Sequence, residues 1–201
     1  MSMTLLGAAA SPFVRKVRVM LAEAAIEDIP FEIVQSSPLG GEDRINTANP
    51  LGKIPALLRD SGPTIYDSRV VTRFLDAHFN AGLYPEARLW EVLTLEATAD
   101  GIMEAAVGIV YETRFRPEDM RYAPWTDGQW TKVARALDTI EAQWMSHLAG
   151  PLDMGQIAVG CALGYLDLRH GDKPWREGRP ALAAWFEGFS ARPSMQTTAP
   201  E

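Results

Sequence analysis

Two short runs put polar side chains where a helix begins. Ser11 precedes Pro12, a pairing that reads as an N-cap followed by proline in the first helical turn. A hydroxyl there either accepts from a backbone N–H two or three residues on, or donates to an anion held at the positive end of the helix. Asp67-Ser68 stands where a strand meets a second helix. Backbone N–H and hydroxyl donors at such a start suit a carboxylate, and the adjacent acid suits an ammonium. The plainer reading is a capping serine beside an acid that favours the helix dipole. Between the two runs lies Ile54-Pro55. In the cis form this bond turns a strand so that the preceding backbone groups face outward; in the trans form it is an ordinary turn.

Other chemistries lack their residues. Cys161 is the single cysteine, so neither an internal disulfide nor a Cys-x-x-Cys pair exists. It falls among Ala158, Ala162 and Tyr165, which suits core packing. His78, His147 and His170 are isolated on helices or at their ends, where surface or capping roles suit them. Their spacing composes no metal set. The 19 basic residues against 26 acidic ones give a net charge of −7. The one basic cluster is Arg15-Lys16-Arg18, which argues against a nucleic-acid partner. No basic segment precedes the short apolar run at the N-terminus, so a signal peptide is not expected. The longest apolar stretch, Ile157 to Leu166, is well short of the roughly 18 residues a membrane span needs. The chain reads as a soluble, cytoplasmic protein. At 201 residues it can bury roughly 70% of its unfolded surface without a staple.

The elements that position these residues differ between the two halves. Met3 to Ala8 is a short apolar run suited to a buried strand. From Pro12 to about Ala25, Val14, Val17, Leu21 and Ala24 recur at helical steps. Pro30 to Val34 alternates as a second strand. Ser36 to Leu51, rich in Pro and Gly, reads as loop with at most a short helical turn. Ile54–Leu58 and Thr64–Tyr66 read as strands joined by a hairpin turn at 59–63, and a helix opens at Asp67-Ser68. The first helix joins two parallel strands, and the hairpin makes the last two antiparallel. After a linker at 81–87, helical patterns run over Leu89–Phe115, Thr126–Leu148, Asp153–Arg169 and from Pro180. Asp153 with Gln156 three residues on forms a variant capping box for the third of these.

A small α/β unit followed by an all-helical one resembles the cytosolic glutathione transferases, and local runs strengthen the likeness. Ser11-Pro12-Phe13-Val14-Arg15-Lys16-Val17 resembles the first-helix motif of serine-type members, especially the plant tau class and several bacterial relatives. Asn49-Pro50-Leu51-Gly52-Lys53-Ile54-Pro55 resembles the loop into the family's cis-proline. Tyr66-Asp67-Ser68 resembles the acidic-serine pair that holds the γ-glutamyl end of glutathione. Ile157 to Ala162 and Ala191-Arg192-Pro193-Ser194-Met195 resemble the core helix and closing segment of the second domain. Two departures stand out. Gln156 replaces a usual aspartate, although glutamine can also reach back to the N-cap amide. Position 11 is serine where disulfide-exchanging members have cysteine.

The resemblance implies a thioredoxin-like domain over 1–80, a linker over 81–87 and an all-helical bundle domain over 88–201. It implies glutathione as co-substrate with no permanently bound cofactor, a small apolar electrophile as second substrate, and a homodimer. Ser11 would donate to the sulfur. Phe13, Lys53, Ile54, Pro55, Asp67 and Ser68 would contact glutathione, with Lys53 either on its carboxylate or solvated. Phe13 with Met103, Val107 and Tyr111, stepping by four along the long helix, would wall the electrophile or belong to the bundle core. Lowering a thiol from about 8.5 to about 6.5 takes ~2.7 kcal/mol. A hydrogen bond to an ionised group contributes ~1.5–3 kcal/mol, and a helix N-terminus adds ~0.3–2 kcal/mol. Together they suffice for conjugation, or for hydroperoxide reduction by the same thiolate. The alternatives are a glutathione-binding interaction protein with little turnover and a glutathione-dependent isomerase. Ala8-Ala9-Ala10-Ser11 departs from the serine-rich run with cysteine that marks the isomerases.

Overall fold

The computed structural model describes residues 2–200, which group into two compact units: 2–86 with 193–200, and 87–192. The first unit begins with strand β1 (Met3–Gly7), helix α1 (Pro12–Glu23) and strand β2 (Phe31–Ile33). Helix α2 (Asp43–Ala48), strand β3 (Ala56–Arg59) and helix α3 (Ser68–Phe79) follow. The sheet order is β2-β1-β3. β1 runs parallel to β2, with Leu5 opposite Phe31, and antiparallel to β3, with Leu5 opposite Leu57. The crossover through α1 accounts for the parallel pair.

The central strand supplies the core. Leu5, Leu6 and Leu57 are fully buried, as are Val14, Val17 and Met20 of α1 and Val71 and Leu75 of α3. Gly7 ends β1 where α1 folds back across it. A Cβ on Gly7 would stand 2.6 Å from Val14 Cγ1, so only glycine permits this approach. Leu6, Val34, Ile45, Ala48 and Ala56 form a cluster beneath α2, with Ile54 packed on its edge.

Two local expectations change. The loop over 36–51 contains α2, a six-residue helix whose Ile45 and Ala48 are buried. Burial of these two residues offsets the breaker-rich flanks. Thr64–Tyr66 does not form a strand: Ile65 exchanges two backbone hydrogen bonds with Leu57 and pairing stops there. The Arg59 guanidinium takes the Pro63 carbonyl at 2.7 Å, and Gly62 adopts φ +87°, so the turn bends away before a ladder can extend.

The second unit consists of α4 (Leu89–Phe115), α5 (Ala123–Gln143), the short α6 (Met145–Leu148), α7 (Met154–Arg169) and α8 (Pro180–Ser190). α7 is its most buried helix, with every residue from Met154 to Leu163 buried. At one end a Cβ on Gly155 would meet Leu95 Cβ at 3.2 Å; at the other, His170 Nε2 lies 3.0 Å from the Ala106 carbonyl. α4 and α7 therefore run parallel. Only half of the expected capping box forms. Asp153 accepts from the Gln156 backbone N–H at 3.2 Å, but the Gln156 side chain donates to the carbonyls of His147, Gly150 and Pro151. Its NH2 is a strong donor among orphan carbonyls, so it closes the preceding loop instead of reaching the Asp153 amide.

A further short helix, α9 (Pro193–Thr197), belongs to the first unit and packs on α1. Arg15 Nη2 donates to the Met195 carbonyl at 2.9 Å, and Ser194 hydrogen-bonds Glu23.

Candidate active site

Ser11 occupies the junction of β1 and α1 with an extended backbone (φ −79°, ψ 123°). Its N–H donates to the Ala8 carbonyl and its own carbonyl accepts from Arg15 N–H, closing the turn on both sides. The hydroxyl oxygen accepts from Val14 N–H at 3.3 Å. This is the cap, and it uses only the oxygen's lone pairs. The hydroxyl proton has no acceptor among the described residues, so the half-buried Ser11 remains a donor at the positive end of α1. Phe13, the second residue of α1, is half-buried.

The loop before β3 is organised by a residue that was not singled out as functional. Asn49, 1% exposed, donates from Nδ2 to the Lys53 carbonyl at 2.7 Å and accepts at Oδ1 from Leu51 N–H at 3.0 Å. The second bond is an Asx turn, for which the Asn-Pro-Leu-Gly run is the available signal. Gly52 takes φ +63° as the turn closes. Lys53 is exposed, and its ammonium forms no ion pair among the described residues. The Ile54–Pro55 bond is cis, as expected. The Ile54 side chain packs inward on the Leu6–Ile45 cluster, while its N–H and C=O make no hydrogen bond among the described residues. An unpaired stretch of extended main chain beside a sheet can pair with another extended chain.

At α3 the cap is the acid and not the serine. Asp67 Oδ1 accepts from Arg69 N–H at 3.0 Å, and Oδ2 meets the Arg69 guanidinium at 3.3 Å. Ser68 thereby becomes the first helical residue, 3% exposed, with a hydroxyl that has no partner among the described residues. A carboxylate capping at N-cap in place of a hydroxyl follows the ordinary preference for Asp at that position. The Tyr66–Asp67 bond is also cis. Ser11, Ile54 and Ser68 each follow or precede a strand of one small sheet, and each offers a hydrogen-bond donor that the fold leaves unused.

Of the α4 residues, Met103 has no accessible surface, Val107 is half-buried and Tyr111 is 40% exposed. Burial pushes the Tyr111 phenol above its ordinary range, against the opposing Arg114 charge. Tyr111 meets Phe115 edge-on at 5.4 Å, and Trp125 lies over Gly108, whose Cβ would stand 3.1 Å from the indole. His78 is exposed and stacks on Phe74. His147 is half-buried and His170 buried. His147 Nε2 lies 2.8 Å from the Asp153 carboxylate, out of line for a well-formed hydrogen bond, and His170 caps α7 against Ala106. Cys161 is buried. Among the described residues no cluster of His, Cys, Asp or Glu is placed to hold a metal ion.

This architecture has known counterparts. Residues 10–78 match the family "Glutathione S-transferase, N-terminal domain", and residues 123–188 match "Glutathione S-transferase, C-terminal domain". The chain is 31% identical over 203 residues to the uncharacterized GST-like protein YibF of Escherichia coli (strain K12), covering 98% of each. It is similar to the crystal structure of a glutathione transferase family member from Pseudomonas fluorescens Pf-5 with bound glutathione, at 45% identity, full coverage of both chains and a TM-score of 0.96. A glutathione S-transferase from Methylobacillus flagellatus KT, also with glutathione bound, matches at 36% identity, full coverage of both chains and a TM-score of 0.89. The fold and its donors thus define a glutathione transferase scaffold. The chain belongs to the glutathione S-transferase family.

Proposed function

We propose that this protein is a serine-type glutathione transferase that joins the glutathione thiolate to small apolar electrophiles. Ser11 donates its hydroxyl proton as a hydrogen bond to the sulfur, and the N-terminus of α1 adds its positive field. The thiolate attacks an electrophilic carbon, a C–S bond forms, and the leaving group departs with its electron pair. The same thiolate is competent to attack the terminal oxygen of a hydroperoxide: the O–O bond breaks, the alkoxide leaves and is protonated to the alcohol, and a second glutathione resolves the resulting sulfenic acid to glutathione disulfide and water. Ile54 pairs its main chain with the cysteinyl backbone of glutathione beside Pro55. The Ser68 hydroxyl and N–H take the γ-glutamyl carboxylate, Asp67 its ammonium and Lys53 the glycyl carboxylate. Phe13, at the start of α1 beside Ser11, gives the electrophile an apolar contact next to the sulfur.

The observation that carries this reading is the Ser11 hydroxyl, which caps α1 through its oxygen and still has its proton to give. The glutathione held by relatives at 45% and 36% identity supports it. The reading includes a cytoplasmic homodimer, to be checked by cell fractionation and sedimentation equilibrium.

The test is calorimetric titration with glutathione followed by steady-state conjugation of 1-chloro-2,4-dinitrobenzene and a panel of enones and alkyl halides. Saturable binding with turnover that falls in Ser11→Ala is expected. Binding without turnover on any electrophile would replace this reading with that of a glutathione-binding protein, and isomerisation without net conjugation would replace it with an isomerase.

A further inference from the structure

The start of α1 breaks a rule that helices ordinarily obey. Acidic side chains are favourable at the positive end of a helix and cations are not. The first turn of α1 contains no acid, and the charged residues that follow are Arg15, Lys16 and Arg18. Arg15, the fourth residue of the helix, is 9% exposed. Its Nη2 donates to the Met195 carbonyl, a neutral acceptor, and its Nε is buried without a hydrogen-bond partner among the described residues. No carboxylate pairs with it among the described residues. The elements packed on α1 supply no remedy. β1 and α9 carry no charged side chain, and α3 carries Arg69, Arg73, Asp76 and His78. Of these, the Asp76 carboxylate is taken by Leu83 N–H and Arg73 lies over Tyr84. Within α1, Glu23 is engaged by Ser194. Arg18, the next cation along, is pushed below the ordinary arginine value by its own burial and by the charge of Arg15.

A buried guanidinium without a counter-charge, at the wrong end of a helix dipole, lowers stability unless an anion joins it. Local rules fail in this way where function requires it. We propose that Arg15 is a positioning residue for the thiolate: a buried cation, fixed by the Met195 carbonyl of α9, whose field holds the glutathione sulfur ionised one helical turn away at Ser11. This inference rests on the proposed glutathione site and adds to it a second electrostatic determinant that acts through the field and not by contact. It also gives α9 a role, since that short helix fixes the guanidinium.

The experiment is an ultraviolet thiolate titration of enzyme-bound glutathione in wild type, Arg15→Met and Arg15→Lys, with binding followed separately by calorimetry. A unit charge roughly one helical turn distant in a partly buried setting shifts a titration by roughly one pKa unit. Arg15→Met is expected to raise the apparent pKa of bound glutathione by about that much, and Arg15→Lys to keep most of the wild-type value. Loss of packing alone would lower the melting temperature of both variants and leave the titration in place. Arg15→Gln, neutral but still able to donate to the Met195 carbonyl, serves where Arg15→Met does not fold, with the same expected shift. Glutathione bound to a neutral variant with an unchanged titration overturns the inference and leaves the proposed function standing. No binding of glutathione by the wild type overturns both.

Discussion

Replacing Ser11 by alanine removes two interactions at once, and they can be separated. The first is the cap on Val14 N–H, 3.3 Å long, whose loss costs about 1 kcal/mol of stability. In a chain of this length that corresponds to a melting temperature lower by about 2–4 °C. The second is the proposed hydrogen bond from the hydroxyl to the sulfur, about 1.5–3 kcal/mol, equivalent to roughly one to two pKa units. The thiolate fraction of bound glutathione at neutral pH should therefore fall about tenfold, and kcat with it. Ser11→Gly distinguishes the two effects, because glycine at an N-cap costs only a few tenths of a kcal/mol relative to serine. Ser11→Gly should regain most of the lost melting temperature and none of the lost activity. The assay pairs thermal unfolding with titration of thiolate absorbance at saturating glutathione. Activity that returns with stability in the glycine variant, or a titration unmoved in the alanine variant, would refute the assignment of the hydroxyl to the sulfur.

Asn49→Ala frees the Lys53 carbonyl and Leu51 N–H inside a 1% exposed site, which should cost about 2 kcal/mol or more in urea unfolding. Because it loosens the loop ahead of Ile54, it should raise KM for glutathione more than it lowers kcat. Asp153→Ala loses the cap on Gln156 N–H and leaves His147 Nε2, 2.8 Å away, and Arg88 without their shared buried carboxylate. A loss of roughly 2–4 kcal/mol is expected in denaturant titration. His170 should make the fold acid-sensitive. Burial holds its pKa below the ordinary 6.5, with Lys173 acting in the same direction and the Ala106 carbonyl and Asp172 opposing. The unfolded chain then takes up a proton that the folded one refuses, so stability should decline as pH falls from about 6.5 towards the lower folded-state value. His170→Gln should flatten that part of a stability-versus-pH curve.

Legibility followed the strength of periodicity. α4 and α7 were bounded to within a residue or two because long apolar patterns and an Asp153 cap mark them. α2 was hidden, since six residues between Gly41 and Pro50 contain too little pattern to outweigh their flanks. The strand at Thr64–Tyr66 was overread because its alternation is real but Arg59 and Gly62 redirect the turn. Ser11, Ile54-Pro55 and Asp67-Ser68 were visible as polar or turn-forming types at the ends of elements. The assignment of the cap to Asp67 was not, because either neighbour can cap and only the backbone geometry decides. Asn49 and Arg15 stayed silent for a different reason. Their importance lies in burial and in which carbonyl they reach, at Lys53 and Met195, and neither is encoded in local spacing.

The return of Pro193–Thr197 to α1 joins segments 180 residues apart in the chain. A ribosome has to translate the whole helical bundle before the first unit receives this helix, so that unit waits, incomplete, in the meantime. A protease nick between the bundle and Pro193 would consequently be felt beside the first helix.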